Sequence, residues 1–166
     1  MIRFVVTSCA AIAMLAACAT STEMSSPPPG TPVPVVRLRA QPYSFTSSSG
    51  FDQPARLVVR DEATWQAVWA QVFARQRPVP SIPTVDFSRE MIVVVAQGTH
   101  STGGYGILID GASESDAGLS IAVRSVRPGA KCVVTEAFTQ PVDIARVPLR
   151  GGAVKFVETD QVTDCG

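Results

Sequence analysis

The chain's one histidine, His100, lies in "QGTHSTGGYGILID", residues 97–110, beside Ser101, Thr99, Thr102 and three glycines. A His–Ser neighbourhood on a Gly-rich loop raises nucleophilic catalysis first. That chemistry needs a base beside the serine, a third group to orient the base, and an oxyanion hole. His100 and Ser101 are adjacent in sequence, so on a strand or tight loop their side chains diverge. No G-x-S-x-G elbow is present, and Asp110 and Asp116 are no better placed to orient His100 than other carboxylates. "STGGYG" also lacks the G-x-x-x-x-G-K-[ST] order and leads into a strand, so it does not cradle phosphate. The acidic run "DGASESD", residues 110–116, lacks the calcium-loop order and reads as a β-turn.

No catalytic residue, metal site or cofactor is therefore expected, and His100 reads as a solvated turn residue. The candidate binding feature is the turn itself: Thr102, Gly103, Gly104 and Tyr105. The glycines supply positive φ at little steric cost and let two strands meet in a tight hairpin-like turn. An exposed loop on a rigid sheet is a usual place for recognition.

The elements that would carry this loop follow from periodicity. In "DEATWQAVWAQVFARQRP", residues 61–78, Trp65, Val68, Trp69, Val72 and Phe73 fall on one helical stripe. Asp61 is placed to cap its N-terminus, and Pro78 to end it. The tryptophan spacing points to core packing rather than a sugar platform. "ARLVVRD" reads as a short strand and "MIVVVAQG" as a central strand covered on both faces. "YGILIDGA" and "GLSIAVRSVRP" alternate, with Ile107, Ile109, Leu119, Ile121 and Val123 facing inward. "KCVVTEAFTQPVDIARVPL" reads as one or two strands broken at Pro141, and "LRGGA" as a hairpin turn before a closing strand. The class is α+β, mostly β: an antiparallel sheet or sandwich-like domain preceded by one amphipathic helix.

Residues 1–17 have one Arg, an apolar run and small residues, the layout of an export signal, and the run is too short to span a bilayer. "LAAC", residues 15–18, resembles a bacterial lipobox, which makes Cys18 the expected lipid anchor. Ala19 after it is the pattern of outer-membrane lipoproteins. The alternative is an ordinary A-x-A cleavage site and a free secreted protein. Residues 18–50, rich in Ser, Thr and Pro, read as a lipidated Cys followed by a disordered tether, and residues 51–166 as a single globular domain.

Once Cys9 leaves with the signal and Cys18 takes lipid, Cys132 and Cys165 remain in a disulfide-permissive compartment. Pairing them would close about 34 residues and contribute roughly 3–4 kcal/mol on the chain-entropy account; two free thiols are the alternative. The 14 basic and 14 acidic residues balance, with no basic run to suggest nucleic acid.

The order of elements resembles the C-terminal domain of the protease complex subunit PrcB family. The likeness runs from Asp86 and Phe87 before the Val-rich strand through Gly98, Thr102-Gly103-Gly104-Tyr105, Pro128 and Pro141. It covers roughly residues 56 to 158, and Cys132 and Cys165 stand outside the shared pattern. The resemblance implies a non-catalytic accessory module that assists or engages a protease, with no catalytic residues to carry over. A second reading is a peptidase inhibitor acting through Thr102 to Tyr105, since "TGGY" is similar to the T-T-G-Y loop of chagasin-like inhibitors. The membrane, through the lipid, and a protein partner are the expected contacts.

Overall fold

A computed structural model describes residues 29–38 and 47–166. The expected signal, Cys18 and most of the expected tether lie outside these residues. Two four-stranded sheets form the body. One has the order β1 (Thr31–Val33), β5 (Gly106–Ser115), β6 (Gly118–Pro128), β8 (Val154–Thr163). The other runs β2 (Val36–Arg37), β7 (Val142–Pro148), β4 (Glu90–Ala96), β3 (Ala55–Val59). We call them the β6 sheet and the β4 sheet. Every pairing is antiparallel except β6 with β8.

Strand β4 shows why the sheets stack. Ile92, Val94 and Ala96 point to one face and pack against the helix α1 (Glu62–Val72). Met91, Val93 and Val95 point to the other and pack against Ile107, Ile109, Leu119, Ile121 and Val123 of the β6 sheet. A strand buried on both faces needs no alternation, and "MIVVVA" has none. The layers are helix, β4 sheet, β6 sheet, as the mostly-β reading expects.

Helix α1 starts where Asp61 accepts the Thr64 amide at 2.8 Å. Trp65, Val68, Trp69 and Val72 are all buried, and the indole N–H groups reach the carbonyls of Pro83 (3.1 Å) and Pro80 (2.9 Å). Satisfying those donors lets the rings stay buried without an unpaired polar atom. The helix stops at Val72, short of Pro78. Phe73 leaves helical geometry to sink fully into the core, and Ala74 closes a tight turn onto the Gln71 carbonyl.

Four sequence expectations are corrected. The span 18–50 is not all tether: β1 and β2 lie within it, because Val33 and Leu38 bury against the two sheets. Pro32 within β1 is tolerated since that strand is a sheet edge. The folded part therefore begins before residue 51, and the buried Ser49 and Gly50 belong to it too. Residues 131–139 form no strand; β7 starts after Pro141. "LRGGA" is no hairpin, since the chain there crosses from the β4 sheet to the β6 sheet and β8 runs parallel to β6. The Gly103–Gly104 turn likewise joins β4 of one sheet to β5 of the other instead of closing a hairpin.

Candidate functional site

Residues 97–105, which carry the chain from one sheet to the other, do not project as a finger. They lie against residues 132–140. His100 and Thr139 exchange backbone hydrogen bonds at 2.8 and 3.0 Å. The Gly103 amide donates to the Thr135 carbonyl at 2.8 Å, and the Thr139 hydroxyl donates to the Thr102 carbonyl at 2.8 Å. Gln97 donates to the Pro141 carbonyl at 3.0 Å. Two irregular segments thus satisfy each other's backbone groups, which explains why 131–139 need not form a ladder.

The glycines are required here, each for its own reason. A Cβ on Gly103 would come within 2.4 Å of the Thr135 hydroxyl oxygen. Gly104 takes φ +86°, and a Cβ there would meet Pro128 and Val134 at 3.0 and 3.1 Å. Thr102 is half-buried, Gly103 buried, Gly104 exposed and Tyr105 half-buried. The four predicted residues are brought together, as the lower layer of the surface.

The upper layer is residues 132–139. Val133 is wholly exposed and Phe138 is 74% exposed, the two most exposed large apolar side chains among the described residues. Cys132 and Cys165 form a disulfide with Cα atoms 5.0 Å apart, which pins the start of this segment to the C-terminal tail. The Cys132 sulfur of this disulfide also lies 3.2 Å from the Thr163 carbonyl.

The histidine is more constrained than a solvated turn residue. Its ring stacks on Tyr105, centroids 3.8 Å apart and planes 5° from parallel. Its Nε2 is buried with no hydrogen-bond partner among the described residues, and burial holds its pKa below the ordinary value. Asp110 is not its orienting carboxylate, because both its oxygens accept from Arg124, at 2.7 and 2.8 Å. Asp52 bonds Arg75 (2.8 Å) and the Thr99 hydroxyl (3.0 Å), and these bonds lower its pKa. Asp52 also accepts the Thr99 amide on its carbonyl, tying residues 97–105 to the chain entering β3.

Sequence reading missed Val133, Phe138 and the His100–Tyr105 stack. The available signal was two large apolar residues, Val133 and Phe138, flanking "VTEA" in a stretch with no sustained period.

No curated protein and no solved structure matches the chain. A protein-family model does, over residues 91–148, the stretch holding β4 to β7 and both layers of the loop surface up to β7. That model is the PrcB C-terminal family, and the match bears out the resemblance over these residues: this stretch is similar to a PrcB C-terminal domain.

Proposed function

We propose that the chain is a non-catalytic, lipid-anchored protein of the cell envelope that assists or engages a protease. The observation that carries this reading is the PrcB C-terminal match, which spans both segments of the loop surface. Anchoring is by Cys18, with the outer membrane as the expected site. Contact is made by the exposed side chains of residues 132–139, Val133 and Phe138 foremost, held in place by residues 97–105. Large apolar groups on a fixed frame suit binding because little freedom is lost on association.

Crosslinking in envelope fractions is expected to join the chain to a protease. Changing Val133 and Phe138 together to Ser should abolish the crosslink, and both sites are exposed, so the fold is retained. A folded double variant that still crosslinks rules this surface out. Cys18→Ser should move the protein from the membrane to the soluble fraction. The inhibitor alternative is tested separately, by residual activity of a serine and a cysteine protease mixed with the chain. With Gly103 buried under Thr135 and Tyr105 stacked on His100, little of that loop is free to enter a cleft, and no inhibition is expected.

A further inference from the structure

The two sheets end in four edge strands. β1, β2 and β3 have three, two and five residues, while β8 has ten. Short edges offer a partner strand little to pair with. β8 is different, and its phase is fixed by one bond. The Thr163 carbonyl accepts the Gly129 amide at 2.9 Å, just beyond the end of β6. Thr163 therefore points at β6, and the register from Val154 to Thr163 is unbroken. By strand alternation Gln161, Thr159, Val157 and Lys155 also point at β6. Phe156, Glu158, Asp160 and Val162 direct their amides and carbonyls the other way.

Among the described residues, no backbone hydrogen bond outside the β6–β8 ladder reaches those four. They form a row about 20 Å long at 3.3 Å per residue. Open donors and acceptors in that spacing are a template for one more strand.

Charge selects the occupant. Between Val157 and Gly166 there are three acids, Glu158, Asp160 and Asp164, and no base. Glu158 is held by Arg56, at 2.6 and 2.9 Å, while Asp160 and Asp164 are exposed with no ion pair among the described residues. A second copy of β8 is disfavoured. Every antiparallel register that pairs three or four of the outward residues sets Glu158 or Asp160 opposite itself or the other. Like charges directly opposed destabilise a ladder.

We propose that the outer edge of β8 docks an extended, basic segment of a partner protein, added as a fifth strand to the β6 sheet. The matching pattern is apolar, basic, basic, apolar at alternate positions, opposite Phe156, Glu158, Asp160 and Val162. This contact is independent of Val133 and Phe138 and of whether the partner is a protease.

The probe is the peptide Val-Thr-Lys-Thr-Lys-Thr-Val, capped at both ends, added to the full oxidised chain. Amide exchange at Phe156, Glu158, Asp160 and Val162 should slow at least about tenfold at saturation, and the peptide with Glu for Lys should bind at least about tenfold more weakly. Asp160→Pro removes one outward N–H and leaves the ladder to β6 whole, so its circular dichroism and melting should be unchanged while peptide binding drops about tenfold or more. Val162→Pro gives the same readout should the first variant not fold. No protection at about 1 mM peptide, equal binding of the Glu peptide, or full binding by a folded proline variant overturns the proposal.

Discussion

Four connections among the described strands cross between the sheets, and two of them carry a Gly–Gly pair. Gly103 and Gly104 lie between β4 and β5, and Gly151 and Gly152 between β7 and β8. In both, the second glycine is left-handed, at φ +86° and +79°. Their surroundings differ completely. A Cβ on Gly103 or Gly104 runs into Thr135, Pro128 or Val134, whereas one on Gly151 or Gly152 meets nothing within 4 Å. The same dipeptide serves one crossing as a close-packed joint and the other as an open spacer. What sets the first apart as the candidate site is the segment 132–139 laid against it, with the disulfide as its fastening.

The largest expected effect comes from cutting that fastening. Changing Cys132 and Cys165 together to Ser should cost roughly 3–4 kcal/mol in denaturant unfolding, the chain-entropy value for a loop of this length. Added thiol reductant should produce the same loss in the natural chain. Amide exchange should rise in residues 132–139 and leave residues 149–153 unmoved. An equal rise at both crossings would show that the first owes nothing to the disulfide.

Valine at the two left-handed glycines separates backbone strain from packing. Gly152→Val should cost about 1–2 kcal/mol, the strain of a branched residue at positive φ. Gly104→Val carries the same strain and must also displace Pro128 and Val134, so about 3 kcal/mol or more is expected. Equal unfolding midpoints would mean that the close contacts at the first crossing contribute nothing.

Much of the frame was legible because apolar period encodes burial. The stripe from Trp65 to Phe73, the unbroken apolar run of β4 and the alternation of β5 and β6 each follow from which faces are covered. Pairing was less legible. A Gly–Gly pair marks where the chain turns and not which sheet it turns into, so β8 reads as a partner of β7 when it pairs with β6. β1 and β2, three and two residues long, carry no period at all, and are placed by single buried side chains, Val33 and Leu38. At the site, the glycines made Thr102 to Tyr105 visible. Val133 and Phe138 stayed hidden because exposure of an apolar residue is a tertiary fact, set here by hydrogen bonds between two irregular segments.

The first crossing also holds the chain's one histidine, which the second lacks. Burial depresses the His100 pKa, so the folded chain gives up this proton more readily than the unfolded chain, whose value is near 6.5. The stability linked to it is complete above that value and drains as pH falls from there through the lower, folded value. A His100 proton-NMR titration should have its midpoint below 6.5. His100→Gln should flatten the corresponding slope of stability against pH, and an unchanged slope would assign it to the carboxylates.

The smallest effect is the sharpest, because it turns on sign. Gly103 and Gly151 both lie outside the left-handed region, so alanine strains the backbone at neither. Alanine also narrows the unfolded ensemble equally at both, which alone stabilises by about 0.4–1 kcal/mol. At Gly151 nothing opposes that gain, and a slightly raised unfolding midpoint is expected. At Gly103 the new methyl falls 2.4 Å from the Thr135 hydroxyl oxygen. Thr135 must turn or retreat, and its carbonyl is the acceptor for the Gly103 amide, so the retreat strains a bond joining the two segments. A net loss of about 1 kcal/mol follows. Opposite signs from one substitution at two glycines outside the positive-φ region isolate the contact with residues 132–139. Gains at both would mean that this segment gives way freely, and a surface that gives way freely is no fixed frame for Val133 and Phe138.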